Sequence, residues 1–253
     1  MIDGYKIIHK GSLKISSSRQ KDSFIDIATI ANSVEHTHEV FDKFSDFGVD
    51  VFGILGMRNL SAFIGEVFAR SLETKANGLL KINPHQDGYP DLLLLDSLGL
   101  SDWNSLRDRL KDKAPFSPFE NGGIEIKATC GSVPSPAECR KKGIEKPTIG
   151  DERIEYLKGY DWKAHHRETN CLIGILWDFI NGLPRIVSLF YSDQLTEDDW
   201  GKIVKPKKGG GRTTSVSIMN RIGIKKMYNG TLLVKNDHRY IHFLNRYNKE
   251  DYL

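Results

Sequence analysis

Three residues of this 253-residue chain have the types and spacing to hydrolyse a phosphodiester: Asp91, preceded by Pro90, and Glu125 and Lys127 in the segment Gly-Ile-Glu-Ile-Lys-Ala-Thr. That chemistry needs a hard cation to stabilise charge on the phosphoryl oxygens and a deprotonated water in line with the leaving group. Mg²⁺ prefers octahedral oxygen coordination and keeps several waters. Asp91, Glu125 and the Ile126 carbonyl would therefore leave positions free for a phosphate oxygen and the nucleophile. Lys127, two residues beyond Glu125, is the candidate to orient and activate the water.

These roles require the right elements beneath them. In 123–129, Ile124 and Ile126 alternate with Glu125 and Lys127, so on a half-buried strand both charged side chains share one face. Asp91 stands at the mouth of four consecutive leucines, 92–95, a short apolar run bounded by turn signals that predicts a buried strand. Asp102 to Lys113 is expected to be an inserted helix, with Trp103, Leu106 and Leu110 on one side and Pro115 and Pro118 ending it. A Glu-x-Lys triplet arises about once by chance in a chain of this length. A second copy, Glu73-Thr74-Lys75, lies where Leu60, Phe63, Ile64, Val67, Phe68 and Leu72 mark one face of a helix over Asn59 to Lys75. Helical residues two apart diverge by about 200°, so that copy cannot converge on one ion.

Asp22 to Phe47 has the apolar spacing of one long or two short amphipathic helices, a helical flank. Gly131 to Gly150, with three prolines, reads as loop, and Asp151 to His166 as a further helix. Cys171 to Ile180 and Arg185 to Tyr191 read as strands joined through Asn181-Gly182, a strong hairpin signal, and Asn229-Gly230 suggests a second hairpin. His165-His166 is expected to bond locally rather than shuttle protons.

The chain has 36 Lys and Arg against 33 Asp and Glu, a net charge of +3, but the charge is uneven. Gly201 to Met227 holds eight basic and no acidic residues, leaving the remainder net negative. Glycines and hydroxyls at 209–215 interleave with the basic side chains, a pattern suited to phosphate contacts. Lys207, Lys208, Arg212 and Thr213 are the candidate backbone contacts. Asn220 or Arg221 is the candidate base reader, since both side chains can bond a base edge bidentately.

Hydrophobic residues make up 39% and charged residues 27%, the profile of a globular protein. No apolar run reaches the roughly 18 residues of a membrane span, and no secretory leader is evident, so the expected location is cytoplasmic. Three cysteines without a Cys-x-x-Cys pair argue against structural zinc and a disulfide scaffold. The nucleophile elbow, the phosphate-binding P-loop and the zincin helix are missing from the sequence.

Pro90-Asp91 and Glu125-Ile126-Lys127, with Glu66 on the preceding helix, resemble the signature of the PD-(D/E)xK nucleases, and among them the type II restriction endonucleases. The resemblance covers the stretch from Asn59 to Thr129. It implies an α/β, restriction-endonuclease-like mixed β-sheet flanked by helices. It also implies Mg²⁺-dependent cleavage of double-stranded DNA to 5′-phosphate and 3′-hydroxyl ends, by a homodimer reading a palindrome. Glu66 matches a helix carboxylate that some members use near the metal, directly or through water. A cognate DNA methyltransferase acting on the same site is a candidate partner.

The gap from Asp91 to Glu125 is longer than in compact members, which the expected helix at 102–113 accounts for. Asp87 and Asp96 are rival acids should the strand begin elsewhere. The expected organisation is one nuclease domain: a helical flank (1–57), a catalytic core (58–195) and a basic DNA-contacting part (196–253). The alternatives are a structure-selective repair or junction-resolving nuclease of the same fold, and a non-catalytic DNA-binding protein.

Overall fold

A computed structural model describes the chain apart from Met1, Ser18, Gln20, Lys21, His166, Glu168, Thr169, residues 207–214 and the side chain of Arg58. Its centre is a seven-stranded sheet. In chain order the strands and helices are β1 (Tyr5–Ile7), β2 (Ser12–Ile15), β3 (Ser23–Asp26), α1 (Ile27–Ser45), α2 (Val51–Lys75), β4 (Leu80–Ile82), β5 (Leu92–Leu94) and α3 (Ser97–Ser105). There follow β6 (Gly123–Thr129), α4 (Pro136–Lys142), β7 (Lys163–Ala164), β8 (Leu172–Ile180), β9 (Leu183–Ser192), β10 (Ser217–Ile218), α5 (Arg221–Asn229), β11 (Thr231–Lys235) and α6 (His238–Asn248).

The sheet order is β1-β11-β9-β8-β6-β5-β4, and all its pairings are antiparallel except that of β6 with β8. It is thus a mixed α/β architecture with a mostly antiparallel sheet. β1 and β11, from opposite ends of the chain, extend the same sheet that carries β6, so flank, core and C-terminal part share one framework.

Alternation along the strands divides the core between two faces. Ile173, Ile175 and Trp177 of β8 and Ile126 of β6 pack with Ile30, Val34 and Phe41 of α1 and Leu60, Ile64 and Phe68 of α2. On the other face Leu172, Leu176 and Phe190 meet Ile224, Met227 and Tyr228 of α5 and Tyr240, Phe243 and Leu244 of α6. The pairing of β8 with β9 shifts register between Leu176 and Trp177, the mark of a bulge. The shift leaves Ile186 and Leu189, three positions apart, in the same face of the core.

Several local expectations are corrected. The first helix is a single one and starts at Ile27, because Ser23–Asp26 pairs with β2 and Asp26 then caps the helix by accepting from Ala28 N. The next helix begins at Val51, eight residues before the expected start, and breaks at Gly56 (φ 64°, ψ 161°), a backbone conformation open to glycine. Its halves, Val51–Met57 and Asn59–Lys75, are bent by 112°, and among the described residues no single helix is long and apolar enough to cross a membrane.

The insert expected at 102–113 is instead α3, begun at Ser97 by the Asp96 cap, followed by one 3₁₀ turn at Arg107–Arg109. The supposed loop 131–150 contains α4, where Ser135 and Glu138 form a capping box and Gly143 ends the helix left-handed. Where a helix is expected over 151–166, the described residues 151–165 hold one 3₁₀ turn and β7 instead. Asn229-Gly230 closes α5 rather than a hairpin, and a Cβ at Gly230 would fall 1.9 Å from the Tyr191 carbonyl oxygen.

Candidate active site

β5 and β6 pair only through Leu92↔Ile124 and Leu93↔Gly123, then part. From Glu125 to Thr129, β6 is paired along one edge only, with β8. Asp91, one residue before β5, closes part of the bare edge: its Oδ2 accepts from Ile126 N at 2.7 Å. In return Asp91 N donates to Glu125 Oε2 at 3.2 Å. Each acid thus satisfies a main-chain amide of the segment that carries the other, an arrangement that fixes their relative position.

The approach to Asp91 is held by Asn83, which is buried. Its Nδ2 donates to the carbonyls of Pro90 and Phe116, both at 2.9 Å, while its main-chain N donates to Asp91 O, also at 2.9 Å. Tyr89 N donates to Phe116 O and Phe119 N to Tyr89 O, each at 2.8 Å, so the turn before Asp91 is braced from two sides.

Lys127 projects between the acids. Its Nζ lies 3.3 Å from Asp91 Oδ2 and 3.1 Å from the Ile126 carbonyl oxygen, and it ion-pairs with Glu125 Oε1. The two carboxylates and the carbonyl singled out in the sequence therefore meet around one cation, the ammonium itself. Glu125 is only 4% exposed. Burial, reinforced by repulsion from Asp91 and opposed by Lys127, pushes its carboxyl up to about 7. Burial works against the charged form of Lys127, yet the attraction of Glu125 and Asp91 outweighs it and raises the ammonium above its ordinary value.

The site opens into a cleft of ≈ 790 Å³ where the strands diverge. One wall is α2, with Gly65, Glu66 and Arg70; the turn before β5 adds Asn83 and His85, and the far rim is made by Lys163 and His165. Glu66 is an exposed acid on this cleft. It does not join Asp91 and Glu125 in a compact set: among the described residues no three His, Cys, Asp or Glu side chains stand close enough to share a metal ion. What the site offers a metal is two carboxylates and a main-chain carbonyl, hard oxygen donors suited to Mg²⁺ with water filling the remaining positions.

The rival acids lie apart from this arrangement. Asp96 is committed to capping α3 through Leu98 N and Gly99 N and to Asn121 Nδ2. Asp87 sits exposed in a turn, its N donating to His85 Nδ1. The second Glu-x-Lys behaves as helix geometry requires: Glu73 pairs with Lys81 at 2.8 Å and accepts from Ile82 N at 3.3 Å, away from its own sequence neighbour Lys75.

Lys207, Lys208, Arg212 and Thr213 lie outside the described residues. Asn220 caps α5, its Oδ1 accepting from Ile222 N and Gly223 N while Nδ2 donates to Asp198 O. Arg221 stacks over the Tyr247 ring at 4.3 Å and donates to the Tyr247 carbonyl. Base reading by either residue would require giving up these bonds, and neither lines the cleft.

Sequence reasoning missed Asn83, Arg70 and Lys163. Asn83 had a signal in its turn-rich surroundings; Arg70 and Lys163 had none beyond their charge. No known family model, curated protein or solved structure matches the chain.

Proposed function

We propose that the chain is a Mg²⁺-dependent endonuclease of the restriction-endonuclease type, cutting double-stranded DNA at a specific sequence to leave 5′-phosphate and 3′-hydroxyl ends. The observation that carries this reading is the meeting of Asp91, Glu125 and the Ile126 carbonyl around one cation at the mouth of a cleft. The mixed sheet with helices on both faces agrees with it.

Bound Mg²⁺ would polarise a phosphoryl oxygen and lower the pKa of a coordinated water. The chain's own residues do the rest. Asp91 and Glu125, with Ile126 O, supply the oxygen donors, and the buried position of Glu125 makes a cationic partner necessary for its charged form. With Mg²⁺ held by those oxygens, Lys127 Nζ, which lies among them, would hold and orient the attacking water. The water oxygen bonds to phosphorus and gives up a proton to solvent, the bond to the 3′-oxygen breaks, and the leaving oxygen takes a proton from solvent. Glu66 faces the same cleft and contributes through water. The enzyme acts in the cytoplasm as a homodimer on palindromic sites, with a DNA methyltransferase of the same specificity as its natural companion.

The test is incubation of the purified protein with long unmethylated duplex DNA, with and without Mg²⁺, followed by sequencing of the ends. Discrete fragments with a common end sequence, formed only with Mg²⁺ and not by Asp91→Ala, are expected. Intact DNA under all conditions would overturn the reading, and cutting confined to branched substrates would replace it with a structure-selective nuclease.

A further inference from the structure

The far rim of the cleft is built by β7, which among the described residues pairs with β10 alone. Ala164 is buried in the core against Leu172 and Leu176, while Lys163 and His165 on either side of it are exposed and line the cleft. Lys163 opens β7 and His165 follows it in a bend, so two basic side chains separated by a single buried residue stand together at the cleft. The rim is anchored beside the catalytic strand by Trp162. Its ring packs so closely on Gly174 that a Cβ there would come within 2.7 Å of it, and Gly174 is the register partner of Lys127 on β8.

The chemistry of both side chains is open toward the cleft. Lys163 makes no ion pair with a described residue, although Asp161 feels its charge. His165 Nδ1 donates to the Ser215 carbonyl at 2.9 Å, and Nε2 has no hydrogen-bond partner among the described residues. With Nδ1 held by the Ser215 carbonyl, Nε2 is the ring atom that a phosphate entering the cleft would meet. Arg70 stands on the opposite wall, with α2 on the Ile126 face of the sheet and β7 on the face of Leu172.

We infer that Lys163 and His165 form a phosphate-binding rim that holds two successive backbone phosphates next to the scissile one. This rests on the nuclease reading for the identity of the scissile group, but not for the binding itself. It assigns the site a polymeric substrate: a mononucleotide or a simple phosphodiester lacks the neighbouring phosphates that the rim contacts.

Binding of a duplex oligonucleotide without Mg²⁺, measured as a function of salt, tests the rim. Lys163→Ala and His165→Gln are each expected to reduce the slope of log K against log salt by about one, the loss of one phosphate contact. Duplexes bearing a single neutral methylphosphonate linkage, scanned across the site, supply the second readout. One linkage should weaken wild-type binding while leaving Lys163→Ala unaffected, and its neighbour should behave likewise with His165→Gln. Wild-type slopes and wild-type methylphosphonate patterns in both variants would overturn the proposal, as would failure of the wild-type protein to bind duplex. If the wild-type protein shows these binding effects but cuts nothing with Mg²⁺, the rim stands and the nuclease reading fails.

Discussion

Replacing Asp91 by Asn and by Ala separates the two duties of that carboxylate. Its Oδ2 accepts from Ile126 N at 2.7 Å and faces Lys127 Nζ at 3.3 Å. Asparagine keeps a carbonyl oxygen for the amide; alanine leaves an edge N–H of β6 without its partner. An unpaired, buried amide costs about 1–3 kcal/mol, and the lower half of that range applies here because the cleft admits water. Lys127 keeps Glu125 in both variants, and loss of the Asp91 charge relieves repulsion on Glu125, which offsets part of the damage.

The alanine variant should therefore lose about 1–2 kcal/mol and the asparagine variant less than half of that. In a protein of this size 1 kcal/mol moves Tm by about 2–4 °C. On the metal-ligand reading, Mg²⁺ at ten times its Kd would stabilise the wild-type protein by about 1.4 kcal/mol, a Tm rise of about 3–6 °C. Neither variant should show that rise, and neither should cut DNA. The assay is thermal unfolding with and without Mg²⁺ beside digestion of duplex DNA. An asparagine variant that retained the Mg²⁺ response or the wild-type cutting rate would refute the metal-ligand role, and equal stabilities for the two variants would refute the edge-capping role.

Four measurements extend the argument. Lys127→Ala should slow cleavage by about 10²-fold or more while Glu73→Ala leaves the rate unchanged, as read in single-turnover digests; equal effects would remove the distinction between strand and helix copies. Asn83→Ala leaves the Pro90 and Phe116 carbonyls without their donor and should cost about 1–3 kcal/mol. In the same variant the Mg²⁺ concentration for half-maximal cutting should rise, and an unchanged value would show that Asn83 does not position Asp91.

His38 accepts from Ile186 N at 3.0 Å, and burial, with Arg185 and Lys235 against it and Asp42 for it, lowers its pKa to about 3. The unfolded chain takes up this proton from about pH 6.5 downward and the folded one does not, so its contribution is complete above 6.5 and is lost as pH falls toward 3, by about 1.4 kcal/mol per pH unit. Glu125 and Asp178, both raised by burial, act in the opposite sense, so the measurement is the difference in urea midpoint between wild type and His38→Gln at pH 6.5 and pH 5. An equal change in both proteins would refute the assignment.

What could be read from the sequence was whatever depends on neighbours close along the chain. The alternation of Ile124 to Lys127 and the Asn181-Gly182 turn specify their strands locally, and β6 and the β8-β9 hairpin stand where expected. The same locality explains the failures. Phe24 and Ile25 fit either an amphipathic helix or a strand, and only the pairing with β2 decides. Asn229-Gly230 has the composition of a hairpin turn, but the apolar face of α5 packed on the core makes it a helix end. Prolines disguised α4, because Pro136 occupies the first turn, where its missing N–H costs nothing.

The choice of Asp91 over Asp87 and Asp96 followed from its place at the mouth of the leucine run. That Asn220 is a cap is also a local matter, yet a cap and a base reader ask for the same residue type. Lys163 could not be found, since its place on the cleft depends on the partnership of β7 with β10, more than fifty residues away.

The cleft and the donor set have a common origin in how β5 leaves β6. At Gly123 the two strands pass so closely that a Cβ would lie 1.9 Å from the Leu92 carbonyl oxygen and 2.8 Å from the Pro90 ring. Glycine thus permits Leu92 and Pro90 to sit tight against the start of β6, and only beyond that point does the chain turn away to expose the edge. Because the crossing is tight, Asp91 arrives within bonding distance of Ile126 N; because the strands then separate, the same carboxylate faces open space rather than a neighbouring strand. A bare sheet edge is ordinarily a hazard for unwanted pairing. Here one of its amides is closed by an acid, and the adjoining strand face presents Glu125 and Lys127, so the interruption of the sheet is also what assembles the cation-holding oxygens.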